Sequence, residues 1–455
     1  MSPRPVCPED LRALAIEVLD LATRAGATAA DAVAVQHAAF SAGVRLGAVE
    51  KLTDARQKRL GLRVFVGERT AVAATADLTR AGLARLATDS VALARATQPD
   101  PANGLPAPTA LAAQASDLDL YDAAAETPSP SAALARARAA ETAALESDPR
   151  LTNSEGAEFS QDAATIAYAS TLGFGAEYRS SSFYLGVEPV ATSDGRMQRD
   201  YWYARSRHLD RLDEPAAIGR RAAERTLRRL GARRVPTQEA PVVFEAEVAA
   251  SLVRHLAAAV VGQSLYRGTS FLLGRLGETV AAPLVTMVDD GRLPAGHGSR
   301  PFDAEGLPTR RTVVIERGRL VSYLLDTYSA RRLGLTATGN AARAVGEAPS
   351  AAPTNLYLEA GGHTPQQIIA SLDRGLLITE LIGFGVNGVT GDYSRGAAGL
   401  WVEHGKIVHP VEEVTIAGNL LDMFRDIELV GNDLAFRASV AAPTLKIRRM
   451  TIAGA

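Results

Sequence analysis

Cysteine is almost missing from this 455-residue chain: Cys7 stands alone. That excludes a disulfide framework and a multi-cysteine metal site, and it leaves no thiol in an evident nucleophilic setting. Charge of one sign is missing too. With 49 basic and 51 acidic residues the formal charge is -2, so nothing electrostatic points to nucleic acid or an anionic membrane surface. No run of about 18 apolar residues occurs, and the opening MSPRPVCPEDLR has no apolar core of a signal peptide. The simplest compartment is the cytoplasm. Histidine is scarce: none of the seven is followed by Glu. A metallopeptidase helix needs His-Glu and a second His on one face, so that two imidazoles hold the metal and the carboxylate faces its water. A G-x-S-x-G elbow is absent as well, because Gly391-Asp392-Tyr393-Ser394-Arg395 misplaces the first glycine.

What is present suits a packed protein of two to three domains, with 47% hydrophobic residues. Leu11, Leu14, Ala15, Val18, Ala22 and Ala25 recur at helical spacing before Gly26, the expected C-terminal cap. Strand-like runs follow at 32–37, 42–52 and 61–66, the last paired with 71–75 across Gly67-Glu68-Arg69-Thr70. A second helix is expected near 78–96, and the prolines of 98–108 mark a loop or linker. A helix near 131–145 precedes strands at 164–170, 175–187 and 198–208, with Ser193-Asp194-Gly195 as a turn. The arginines of the helix at 215–229 have no interleaved aromatics, so they are expected on a solvated face. After Pro236 the pattern shifts to one helix, about 247–261, and then short strands with glycine turns. The fold class is therefore α+β: an α+β region with subdomains 1–110 and 111–235, then a β-rich, barrel- or sandwich-like domain at 236–455.

The most distinctive segment is Leu381–Gly399, LIGFGVNGVTGDYSRGAAG. Gly383-Phe384-Gly385-Val386-Asn387-Gly388 matches G-x-G-x-x-G by letter, but that motif works only where a strand enters a helix. Here the following residues read as a further strand. Gly383, Gly385, Gly388, Gly391 and Gly396 instead permit a sharp bend or a close backbone approach. Asp392, Tyr393, Ser394 and Arg395 on that bend are candidates to face a chamber or partner, or else satisfy the turn itself. His404 joins them as a candidate. His404 and His409, with Glu403 and Asp392, are a grouping that a self-contained hydrolase with unrecognised chemistry could use. His255, on the 247–261 helix with Ala250, Ser251 and Ala259 at the relevant spacings, reads as structural.

Four segments carry a resemblance: Ser264–Glu278, Ser299–Arg311, Leu324–Gly339 and, longest, Gly385–Ile427 (GVNGVTGDYSRGAAGLWVEHGKIVHPVEEVTIAGNLLDMFRDI). They resemble the TldD/PmbA family, also labelled modulators of DNA gyrase, and most closely its TldE/PmbA branch. The resemblance implies a heterodimeric peptidase. A TldD-type partner carries zinc on a His-Glu-x-x-x-His helix, and a TldE-type subunit completes a chamber for unfolded or leader peptides. The corresponding helix here reads FEAEVAASLVRHL (Phe244–Leu256) and departs from the zinc pattern. No catalytic residue, metal or cofactor is therefore expected in this chain; zinc is expected in the partner, and neither nucleic acid nor membrane is an expected partner. A non-enzymatic modulator of gyrase or of a toxin–antitoxin system is the alternative.

Overall fold

The computed structural model describes residues 10–112 and 116–454, so Cys7 lies outside the described residues. Helix α1 (Leu11–Ala25) starts where the Asp10 side chain accepts the N–H groups of Arg12 and Ala13, and it ends at left-handed Gly26. Strands β1 (Ala29–Arg45) and β2 (Ala48–Val66) form one long hairpin. The single strand expected across 42–52 is thus broken, because the chain reverses at Leu46 and Gly47, with φ of 49° and 77°. Two successive positive φ values match the twist of the flanking strands. Leucine in that conformation hid the turn. Next come β3 (Arg69–Thr75), α2 (Arg80–Ala96), α3 (Pro130–Leu145), β4 (Leu151–Ser170) and β5 (Gly175–Ser193). The run expected at 198–208 divides into β6 (Arg196–Arg199) and β7 (Trp202–Ser206). Between them the Asp200 N–H turns away to the Thr226 hydroxyl of α4 (Pro215–Leu227).

These strands make one antiparallel sheet in the order β3-β2-β1-β4-β5-β6, with β7 also on β5. It runs through residues on both sides of position 110. Side chains alternate across a strand, and on β1 the even-numbered Ala30, Ala32, Ala34, Phe40, Ala42 and Val44 are all buried. Helices α1 and α2 cover the first half of that face and α3 with α4 the second. The opposite face, carrying Asp31, Arg63 and Tyr168, meets the C-terminal domain through Glu305 and Arg343.

The C-terminal domain opens with β8 (Gln238–Phe244) and α5 (Ala246–Val260). Strand β8 lies parallel to Arg374–Ile382 and antiparallel to Leu445–Ala453. Arg374–Ile382 pairs with Asp392–Glu403, which pairs with Lys406–Asn419. Lys406–Asn419 then pairs back to Leu445–Ala453, so the strands close into a barrel. Closure leaves no free edge among those strands. A second sheet, centred on Met287–Asp290, packs nearby with Arg311–Glu316 and Leu356–Leu358 on either side. The fold is α+β with a C-terminal barrel, as the short strands and glycine turns indicated.

The solvated face expected for the α4 arginines is corrected by the structure. Arg220 and Arg221 are exposed, but Arg225 is buried and bonded to Glu245 and Asp200, with Arg228 on Glu245 at 2.6 Å and Arg229 on Glu380 at 2.5 Å. Glu245 begins α5 and Glu380 lies in a barrel strand, so these cations fasten the helix to the C-terminal domain.

Candidate functional site

The glycine-rich segment lies between two antiparallel barrel strands, and no helix follows it. The nucleotide motif is a coincidence of spacing. Gly391 takes φ of 83°, and a Cβ on Gly385 would collide with the Ser394 carbonyl oxygen. Gly383 also has positive φ, while Gly388 and Gly396 do not. The result is a loop that folds back onto its own strand: Ser394 N–H donates to the Gly385 carbonyl at 2.6 Å, and Asn387 N–H to Asp392 at 2.8 Å.

Strand alternation then sorts the candidates. Tyr393 and Arg395 point one way, Tyr393 being buried and Arg395 half-buried, whereas Asp392 and Ser394 are exposed on the other face. The Asp392 carboxylate accepts from the Thr390 hydroxyl at 2.6 Å and thereby serves its own turn. His404 sits in the hairpin at the far end of the same strand, roughly 40 Å from Asp392 at the usual rise per residue. It is exposed, and its Nδ1 lies 2.8 Å from Asp373. His409 faces the Pro410 carbonyl, and Glu403 accepts from the Trp401 indole. Asp392 and the 403–409 histidines therefore do not converge on one centre.

Tyr393 and Arg395 instead meet helix α5. The His255 ring stands edge-on to Tyr393, with centroids 6.0 Å apart. Burial lowers the His255 pKa below the usual imidazole value, and Arg395 and Arg254 add to that, so the ring is neutral near pH 7. Burial pushes the Tyr393 hydroxyl well up, against the pull of Arg395. Beside them a cleft of about 280 Å3 is lined by Tyr201, Trp202 and Tyr203 of the central region, Glu247, Ser251 and Arg254 of α5, and Arg395. Sequence reasoning set His255 aside and did not find Ser251, Arg254 or the tyrosines. One signal was available: Glu247, Ser251, Arg254 and His255 fall at i, i+4, i+7 and i+8, a polar stripe on an otherwise apolar helix.

Comparison with known proteins places this geometry. Residues 30–94, 124–230 and 237–454 match the models of domain 1, the central domain and the C-terminal domain of the PmbA/TldA metallopeptidases. The chain is 39% identical to Metalloprotease PmbA of Escherichia coli O157:H7 over 91% of its length and 90% of that protein's. The chain belongs to the PmbA/TldD family. A PmbA homolog of Haemophilus influenzae is 35% identical across 98% of this chain and 96% of its own. Among solved structures, a Bacteroides thetaiotaomicron protein described as a candidate modulator of DNA gyrase superposes with a TM-score of 0.91 at 27% identity, covering 99% of this chain and all of that one. TldE from Thermococcus kodakarensis shares the fold at 20% identity with a TM-score of 0.87, over 97% of this chain and 100% of its own.

The family name implies a metal. Among the described residues, no group of three or more His, Cys, Asp or Glu side chains could hold one. With His255 as the last ligand of a His-Glu-x-x-x-His helix, Ala250 and Ser251 occupy the His and Glu positions. The cleft's carboxylates, Asp200, Glu247 and Glu380, are each held by an arginine, and Arg254 and Arg395 beside them repel a cation. The donor set at α5 does not fit zinc.

Proposed function

We propose that this PmbA/TldD-family protein is the TldE-type, non-metal subunit of a cytoplasmic heterodimeric zinc peptidase, walling a chamber in which a TldD-type partner cleaves unfolded or leader peptides. The observation that carries the reading is the α5 cleft: one neutral imidazole beside two guanidiniums, on the helix where the family pattern calls for His-Glu-x-x-x-His. A wall of barrel strands and aromatic side chains suits extended peptides better than folded proteins.

The test is to express this chain alone and together with a His-Glu-x-x-x-His homologue, then measure zinc and cleavage of an unfolded peptide. The chain alone is expected to bind no stoichiometric zinc and cleave nothing, while the pair cleaves in a chelator-sensitive manner. Cleavage by this chain alone in the presence of chelator overturns the reading. A second reading, a non-enzymatic modulator, draws on the gyrase description of the Bacteroides neighbour. Tight binding to gyrase without any TldD-type protein would favour it.

A further inference from the structure

The cleft at α5 has an imbalance that a structural wall does not need. Its acids are already paired: Asp200 with Arg225 at 3.4 Å, Glu380 with Arg229 at 2.5 Å, and Glu247 with Arg437 at 3.3 Å. Its two other cations are not. Among the described residues neither Arg254 nor Arg395 forms an ion pair, although both border the same cavity. In the cleft lining the Ser251 hydroxyl and the Arg395 Nε have no hydrogen-bond partner among the described residues. Neither does the Asp200 Oδ2, which is held only by its ion pairs with Arg225 and Arg229. The His255 Nε2, behind the lining, is also unpartnered. Ser251 is 8% exposed. A buried donor left unsatisfied is costly, so the Ser251 hydroxyl beside two guanidiniums without an ion pair is an arrangement that a bound acceptor would complete.

We propose that this cleft is a carboxylate subsite, taking the C-terminal carboxylate or an acidic side chain of the peptide between Arg254 and Arg395, with the Ser251 hydroxyl donating to its oxygens. Guanidiniums match carboxylate geometry, and charge-assisted bonds are about twice as strong as neutral ones. The peptide, rather than a small anion, is favoured by the rest of the wall. Tyr201 and Tyr203 stack with ring centroids 6.2 Å apart, and Tyr184 adjoins at 5.8 Å. Among the described residues strand β7 pairs only with β5, and an extended chain can add to a strand edge by backbone hydrogen bonds. The subsite rests on the reading of this chain as the wall of a peptide chamber.

The test is fluorescence anisotropy on the purified full chain, with one labelled unfolded octapeptide made three ways: free acid, C-terminal amide, and amide with an internal Asp. The free acid or the Asp peptide is expected to bind about tenfold tighter than the plain amide, and 0.5 M salt should erode that preference. Arg254→Gln, at an exposed position, and Arg395→Gln are each expected to abolish the preference. Arg254→Lys should restore part of it. Preference for the free acid alone assigns the terminal carboxylate, and preference for the Asp peptide assigns a side chain. Equal binding of all three peptides overturns the subsite. So does a preference that survives Arg254→Gln with Arg395→Gln, or an Arg254→Gln defect seen only in association with a TldD-type subunit. Cleavage by the co-expressed pair is read separately: active pairs without the carboxylate preference sink the subsite alone, whereas the preference without active pairs sinks the peptidase reading alone.

Discussion

His297 shows what a single buried side chain does to this protein's response to acid. Its burial, with Arg207 and Arg205 close by, pulls its pKa down to about 4. In the unfolded chain the imidazole returns to about 6.5, so between those values the unfolded state binds more protons than the native one. Stability therefore rises with pH through that window and is lost as pH falls from about 6.5 toward 4. His255, shifted in the same direction, adds to the loss. Urea midpoints at pH 7.5 and pH 5 should differ, and His297→Gln should shrink that difference by on the order of 1–2 kcal/mol. An unchanged difference would place the acid sensitivity elsewhere. At this scale the sequence was least legible. A histidine's burial depends on residues far along the chain, and Arg207 and Arg205 reach His297 only once the domains are docked.

Helix α4 makes the same point for an element. Its periodicity gave its position, and its arginine spacing suggested a wet face, yet Arg225 is 5% exposed at its side chain and bonds to Glu245 at 3.1 Å. Its guanidinium also lies 5.2 Å from the Trp202 ring centre. Local pattern cannot show which charges will meet across a domain boundary, because Glu245, Asp200 and Glu380 come from three separate elements. Arg225→Ala should cost about 3–5 kcal/mol, since Asp200 and Glu245 would be left buried with fewer cations. Arg221→Ala, on the exposed side of the same helix, should change stability by less than about 0.5 kcal/mol. Thermal or urea melts of the two variants check the contrast, and equal effects would refute the docking role. Elements whose signals are local read well from the sequence: α1 with its Gly26 cap, and the glycine-punctuated strands of the barrel. The β1–β2 reversal did not, because Leu46 takes a conformation that leucine seldom adopts.

Across the whole molecule, two layers with separate cores are joined at a small buried network. The Asp31 carboxylate, fully buried on β1, accepts from Arg63 on β2 and from Arg343 of the C-terminal domain at 2.7 Å. Arg63 also reaches Glu305 at 3.2 Å, and Glu305 accepts the Thr327 N–H. Two carboxylates thus balance two guanidiniums, with the Tyr168 hydroxyl 3.3 Å from Asp31. Burial works to raise the Asp31 pKa, but Arg343 and Arg63 together hold it below the usual range. Its contribution is therefore complete above the unfolded value of about 3.9 and is lost as pH falls through the lower folded value. Asp31→Asn keeps the shape and removes one charge, so Arg343 loses its only carboxylate among the described residues and Arg63 keeps Glu305 alone. The expected loss is about 3–5 kcal/mol at pH 7. Because the network spans both layers, the loss should appear in a single transition seen equally by fluorescence and circular dichroism. Two separated transitions in the variant would mean that the layers fold independently and the network only docks them. A loss under about 1 kcal/mol would mean that apolar contacts, such as the Tyr168, Phe174 and Phe302 cluster, hold the two layers together unaided.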